Sequence, residues 1–384
     1  MMESNFIQDI SALKKLPKSW NVFDFGNVFT DISGGNKKFL KSDFLVEGKI
    51  AIIDQGKDLI AGYTNEENEI VKGQPPYIVF GDHTRIFKFI DFPFVMGADG
   101  TKVFKVKDFT ISNEKYLFHF LNSLNIPNTG YNRHFKYLKS TKIPLPPLPQ
   151  QQKIANILDA AVTLKQNDKA LIAKYDALTQ ALFLEMFGDP VRNPKGWEKV
   201  ELKNLTQPIK KLGKDYKSPS INYVDISSID NTKFLIVSTT EYLFEERPSR
   251  AQQILKKNDV LLSTVRPNLK NIAINKTDDL IASTGFYVCR VNEQLNSKFL
   301  FEVLKSDSVT NHFVGITAGA NYPAVKSSDI SKFQVVLPPI ELQNQFAERV
   351  ALIEEQKAIA QKSLEKSEAL CNSLLQKAFN GGLT

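Results

Sequence analysis

Four short stretches of this chain concentrate side chains that make directional hydrogen bonds. Residues 81–85, GDHTR, put a carboxylate, an imidazole, a hydroxyl and a guanidinium into one turn. Residues 130–139, GYNRHFKYLK, interleave Asn132, Arg133, His134, Lys136 and Lys139 with Tyr131, Phe135 and Tyr137. Residues 263–271, STVRPNLKN, carry Arg266, Asn268 and Lys270 around Pro267. Residues 319–329, GANYPAVKSSD, carry Asn321, Tyr322 and Lys326. The chemistry open to such sets is recognition. Arg and Lys suit guanine edges and phosphates, and Asn suits the adenine edge. Phosphate contacts usually outnumber base contacts. The candidate reading residues are His83, Arg85, Asn132, Arg133, His134, Lys136, Arg266, Asn268, Lys270, Asn321, Tyr322 and Lys326. For each, a solvated loop charge or a turn-forming bond is the competing reading. For Asp82 a turn cap is the stronger of the two.

Bond-making chemistry has no comparable set. Residues 74–77, QPPY, resemble the Asn/Asp-Pro-Pro-Tyr signature of amino-methyltransferases, in which the first residue holds the target amine and the aromatic stacks on an extruded base. Here Gln74 takes the key place and no glycine-rich nucleotide loop precedes it, so Pro75-Pro76 reads as a turn into the strand YIVFG. No G-x-x-x-x-G-K-[ST] occurs; Gly56-Lys57 and Gly213-Lys214 lack the upstream glycine. Glu201-x-Lys203 matches half of a nuclease motif, a pairing common in any charged chain. His83 and His134 have no carboxylate or cysteine partner at a diagnostic spacing. Two cysteines, Cys289 and Cys371, and four histidines supply neither a disulfide framework nor a metal site. The expectation is a binding protein without catalytic residues, metal or cofactor of its own.

The elements that must hold those stretches follow from the rest of the chain. With 384 residues it is long enough for two or three domains. Its 42% hydrophobic and 24% charged content is that of a soluble globular protein. No apolar run reaches the eighteen residues a membrane span needs, and MMESNFIQDISALKKL lacks the features of a signal peptide. A cytoplasmic location is expected. The net charge of +7 is unevenly placed: 19 Lys+Arg face 16 Asp+Glu in residues 1–144, and 21 face 16 in residues 189–336. The intervening and final segments are close to neutral. Such blocks permit nucleic-acid binding without requiring it.

A shift of 192 residues lays the chain on itself. Leu145, Pro146 and Pro147 fall on Leu337, Pro338 and Pro339; Gln151 falls on Gln343, Ala155 on Ala347, Leu182 on Leu374 and Phe187 on Phe379. LPKSW (16–20) echoes NPKGW (193–197), pairing the two tryptophans, Trp20 and Trp197. Proline cannot continue a strand ladder or a helix interior but fits just before a helix. From residue 150 to residue 187 there is no Gly or Pro, and apolar residues recur at heptad spacing: Ile154, Ile157, Ala161, Leu164, Leu171, Tyr175, Leu178 and Leu182. Asp168 and Glu185 interrupt the series, and Gly188 with Pro190 ends it. The second helix, about 341 to 379, stops at Gly381-Gly382. A lone helix of that length would expose its stripe, so the two are expected to pair antiparallel. The contact residues expected are Ile154, Leu158, Leu164, Leu171 and Leu178 on the first helix, and Phe346, Val350, Ile353, Leu364 and Leu374 on the second. The competing arrangement packs each helix on its own block. Runs such as KIAIID, YIVFG, IFKFI, DVLLSTV and FYVCRV read as strands. The fold class predicted is α+β: two β-rich domains, 1–144 and 189–336, separated by helical segments 145–188 and 337–384 that form an antiparallel coiled coil.

Taken together, these features resemble the specificity subunit of a type I restriction–modification system. The resemblance rests on the order block, LPPLPQQQKIA, long helix, block, LPPIELQNQFA, long helix, and on MFGDPVRNPKGW, DVLLSTVRPN, TGFYVCRV and GANYPAVKSSDI. It covers essentially the whole chain. It implies that each block is a target-recognition domain reading one half of a split, asymmetric DNA site. It implies that the helices hold the domains apart and dock two methyltransferase subunits, with motor-nuclease subunits joining that core. S-adenosylmethionine, ATP and Mg would then belong to the partners. A protein-binding scaffold and a silent specificity cassette remain the alternatives. Polar residues at Arg349, Gln356, Ser363 and Ser367 predict that the second helix's partner-facing stripe is shifted by one position.

Overall fold

The computed structural model describes residues 16–97, 99–130, 132–213, 216–317 and 323–383. The chain divides into two compact units, residues 1–169 with 362–384, and residues 170–361.

In the first unit, β1 (Asn21–Asp24) pairs antiparallel with β10 (Lys142–Leu145). An antiparallel sheet runs in the order β2 (Phe29–Asp31), β9 (Thr101–Val106), β6 (Tyr77–Gly81), β7 (Phe87–Ile90). A second sheet runs β3 (Lys38–Phe39), β8 (Phe94–Gly97), β4 (Ile50–Ile53), β5 (Gly62–Thr64), with β3 and β4 parallel to β8. Strand β6 explains their packing. Ile78 and Phe80 enter the core shared with α1 (Glu114–Ser123), while Tyr77 and Val79 enter the core shared with the second sheet. Side chains alternate faces along a strand, so a strand covered on both faces reads as an unbroken apolar run.

The second unit repeats this plan. β11 (Lys199–Glu201) pairs with β22 (Gln334–Val336). One sheet runs β12 (Thr206–Gln207), β21 (Phe286–Val291), β18 (Val260–Ser263), β19 (Ile272–Ile274). The other runs β16 (Thr240–Leu243), β13 (Ser220–Val224), β20 (Leu280–Ser283), β17 (Ala251–Ile254), with β13 and β20 parallel. In β18, Val260 and Leu262 face the core shared with α3 (Ser297–Lys305), and Leu261 faces the other sheet. A short hairpin, β14 (Ile229–Asp230) with β15 (Leu235–Ile236), is added in this unit. All five runs expected to be strands lie on β4, β6, β7, β18 and β21.

The long helices are α2 (Leu148–Phe187) and α4 (Ile340–Phe379). Both start just after their proline pairs. Helix α2 stops where Gly188 takes a left-handed φ of 78° while its N–H still reaches Leu184 O at 2.9 Å. In each unit the helices pack antiparallel. Within the first unit, Ile154 and Leu158 join Ala378 and Phe379 in one core, Ser363 Oγ donates to Asp168 Oδ1 at 3.0 Å, and Lys169 lies 3.3 Å from Glu368. Within the second, the Phe183 and Phe187 rings lie 5.6 and 5.3 Å from that of Phe346, and Lys357 bonds Asp176 at 2.5 Å.

This seam corrects the expected one. Leu164, Leu171 and Leu178 are 45%, 41% and 50% exposed. The apolar anchors at the two ends set the rotation of α2. Heptad counting inward from them lands on Ala161, Lys165, Asp168, Ile172, Tyr175, Thr179 and Leu182, one residue away from the leucines. Asp168 is therefore a seam residue, buried and bonded to Ser363, and does not interrupt the series. The stripe of α4 is not displaced: Phe346, Val350, Ile353, Ala360, Leu364 and Leu374 all turn inward. Each equals a seam position of α2 plus 192.

A buried histidine helps tie α1 to α2. His119 is buried, its Nε2 lying 2.7 Å from Asp159 Oδ1, and Lys115 reaches Asp159 Oδ2 at 2.6 Å. Burial pushes the His119 pKa down by more than Asp159 pulls it up. The unfolded chain, with an imidazole pKa of about 6.5, therefore takes the proton first as pH falls. Stability from this site is complete above that pH and declines below it. The urea midpoint is expected to fall between pH 7 and pH 5, and His119→Gln should flatten that fall. Core truncation gives a second check. Phe346→Ala should cost about 3–5 kcal/mol in urea unfolding. Leu171→Ala should cost less than about 1 kcal/mol, because its side chain is exposed and outside the seam.

Candidate nucleic-acid interface

In the first unit the β6–β7 turn is the centre of the candidate surface. Asp82 is buried at its start. Its N–H donates to Gly100 O at 2.7 Å, and its carboxylate accepts from Phe135 N at 2.7 Å. The same residue's carbonyl accepts from His134 N at 2.9 Å and lies 2.8 Å from His134 Nδ1. This stitches residues 130–139 onto the turn. It also corrects the role expected of His134, which is fully buried and serves as a brace beneath the surface. Arg85 is half-buried and points inward, its Nη1 donating to Ile126 O at 3.2 Å. His83 is half-buried, with Nδ1 3.2 Å from Asn132 O. Asn132, Arg133, Lys136 and Lys139 stand exposed. Lys136 Nζ sits 5.1 Å above the Tyr137 ring, and Lys102 and Lys139 lie 5.0 Å from the Phe135 ring.

The second unit builds the equivalent turn between β18 and β19. Arg266 N donates to Pro323 O at 2.7 Å, and Val325 N donates to Thr264 O at 2.9 Å. These bonds carry the exposed Lys326 to the exposed Arg266 and Asn268. Lys270 is held by Asp307. Asn321 and Tyr322 lie outside the described residues, as does Tyr131. Arg85 and Arg266 occupy corresponding turns, and both have left-handed backbone, at φ of 65° and 50°. Non-glycine residues rarely adopt that conformation, and it costs energy where it persists. Two equivalent turns with a strained arginine each, both stitched to the segment that leads into the final strand, make these loops the candidate sites.

A sequence profile described as "Type I restriction modification DNA specificity domain" matches residues 17–174 and again 194–369. The chain belongs to that family. It is 26% identical over 270 residues to the type I restriction enzyme MjaVIII specificity subunit of Methanocaldococcus jannaschii, covering 64% of this chain and 63% of that one. It is 22% identical over 332 residues to the EcoR124I/EcoR124II specificity subunit of Escherichia coli, covering 78% of each. The alignment thus spans less than two thirds of the archaeal relative's own length. The crystal structure of a type I restriction–modification S subunit from M. genitalium superposes with a TM-score of 0.58 at 16% identity, covering 95% of this chain and 98% of that one. At such identity the likeness speaks to fold alone.

Within that family frame, one clamp was not evident in the loops themselves. Lys88 on β7 is buried, its Nζ donating to Asp54 O at 2.8 Å and lying 3.5 Å from Asp54 Oδ1. Burial pushes its pKa down, with Asp54 pulling the other way. Next to Asp54, Gln55 accepts from His83 N at 3.2 Å and donates to Asp99 O at 3.0 Å, and its carbonyl accepts from Thr84 Oγ1 at 2.6 Å. Gly100 has a left-handed φ of 89°, and a Cβ there would lie 2.8 Å from both Gln55 Oε1 and His83 Cδ2, so a side chain at this position would be strained. The signal was a lysine inside the apolar strand IFKFI. A charge in such a place is kept only with a partner.

Among the described residues no group of His, Cys, Asp and Glu could hold a metal ion. The surface can donate hydrogen bonds and carry positive charge. If Arg133 and Lys136 touch phosphates, the double variant Arg133→Ala/Lys136→Ala should lower DNA affinity on any duplex. It should also reduce the slope of log K against log salt by about 1.8, at 0.9 per phosphate. His134→Ala should act differently, lowering the unfolding midpoint.

Proposed function

We propose that this chain is the non-catalytic DNA-reading subunit of a type I restriction–modification complex, in which each unit reads one half of a bipartite, asymmetric site. The observation that carries the reading is the duplicated plan. Two sheets of the same strand order each present a stitched, arginine-bearing turn, and each leads into its own long helix. Two anchored turns with different exposed side chains suit two different half-sites.

Partner docking belongs to the helices on this reading. Leu164, Leu171 and Leu178 recur every seven residues on the outward face of α2, and Leu352, Ile359 and Leu370 stand exposed on α4. Exposed apolar stripes are costly on a lone protein and mark contact surfaces. They support the docking of two adenine methyltransferase subunits, with motor-nuclease subunits joining that core. S-adenosylmethionine, ATP and Mg act in those partners, and the complex works in the cytoplasm. No described helix is long and apolar enough to cross a membrane.

The test is methylation mapping. Co-expressed with its methyltransferase, the chain should yield methylated adenines in a split motif, two specific halves around a fixed gap. A continuous palindrome would overturn the two-reader model. Inserting one heptad into both α2 and α4 should lengthen the gap by about three base pairs, from a 1.5 Å rise per residue and 3.4 Å per base pair. Leu171→Glu/Leu178→Glu should abolish co-purification with the methyltransferase while leaving the unfolding midpoint within a few degrees of the parent.

A further inference from the structure

The second unit contains a groove that the reading turns do not use. It has a volume of about 470 Å³ and is shallow and open to solvent. Its walls come from residues 203–211, 252–253 and 284–288, with Ser327 at one rim. The composition is one-sided. Lys203 and Lys211 supply two ammonium groups, and Gln207, Gln252, Thr206 and Thr284 supply amides and hydroxyls, yet no carboxylate lines it. The nearest acid in sequence, Glu201, is paired with Lys203 at 2.5 Å, outside the lining. Tyr287 adds no negative charge, because burial pushes its pKa up to about 12.

Its position links it to the candidate interface. Ser327 follows Lys326 directly. Thr284 precedes Gly285, whose carbonyl accepts from Thr264 N at 2.9 Å, two residues before Arg266. The groove therefore opens beside the β18–β19 turn.

We infer that this groove takes a phosphodiester of the DNA backbone next to the half-site read by the second unit. The inference rests on the DNA-reading function proposed above and deepens it. A wall of ammonium, amide and hydroxyl donors, whose one neighbouring carboxylate, Glu201, is held by Lys203, matches phosphate oxygens, which accept hydrogen bonds and donate none. An open channel suits a strand that enters and leaves. A compact phosphorylated metabolite would instead be enclosed on most sides. Backbone contacts of this kind add affinity and register without adding sequence preference.

The test compares the parent chain, purified as its complex with the methyltransferase, with Lys203→Gln/Lys211→Gln, and separately with Gln207→Glu, on two duplexes over a range of salt. One duplex carries the methylated motif and the other a scrambled sequence. The expected result for the lysine pair is about a tenfold loss on both duplexes and a salt slope shallower by about 1.8. Gln207→Glu, which places an acid in the groove, should weaken both duplexes several-fold where Gln207→Ala does not. The mapped motif should stay the same in every variant. If the parent binds DNA with a steep slope and the lysine pair leaves slope and affinity unchanged, the groove is not a backbone site. If inorganic pyrophosphate raises the unfolding midpoint of the parent alone while DNA binding is equal in all variants, the groove holds a small phosphate ligand, and the inference is overturned. If the parent complex binds no DNA, the proposed function itself fails.

Discussion

One buried amide in each unit holds the rest in place. Gln151 has no exposed surface, and its Oε1 accepts from Asn113 N at 2.8 Å while its Nε2 donates to Ile111 O at 2.7 Å and Pro146 O at 2.8 Å. Gln343 repeats the arrangement with Asn296 N at 2.9 Å, Gln294 O at 3.2 Å and Pro338 O at 2.8 Å. Each amide satisfies three backbone groups that burial would otherwise leave unpaired, at a cost of about 1–3 kcal/mol apiece. Only a side chain with both a donor and an acceptor at that reach can do so. The asparagines extend the clip: Asn113 and Asn296 cap α1 and α3, and their amides reach Gln152 and Asn344. The Pro-Pro…Gln motif occurs twice because the joint between a sheet domain and its long helix is made twice.

That joint fixes the loops upstream of it. Strands β10 and β22 end at the proline pairs, and the segments before them are the ones stitched to the arginine turns. The stitching differs in chemistry. The first unit uses a buried aspartate and histidine, and the second uses backbone bonds at Thr264, Arg266 and Val325. One anchorage can thus carry different exposed side chains.

The helix seam shows a comparable division of labour. Its ends are apolar and aromatic, while its middle holds Lys165, Asp168, Thr179, Lys357 and Ser367. Polar seam residues weaken a coiled coil but specify its register. The leucines that would have strengthened the middle of α2 face outward. Anchoring at the ends leaves an apolar face in the middle of α2 that the seam does not cover.

By itself the sequence determined the duplication, both long helices and their stops, and the strands. Each of these is written in local signals: proline and glycine punctuation, period, and motif spacing. It also picked out one turn and one segment in each unit, without saying that they meet. Tertiary structure decided which face of α2 meets α4, because heptad leucines mark a stripe without saying what covers it; the rotation came from Phe183 and Phe187 packing on Phe346. It decided that His134 is a brace and Arg133 a surface group, although they are neighbours in one basic stretch. It placed Lys88 beneath the loop that positions His83. Burial of a polar side chain depends on which distant backbone groups come within about 3 Å of it, and no local pattern encodes that distance.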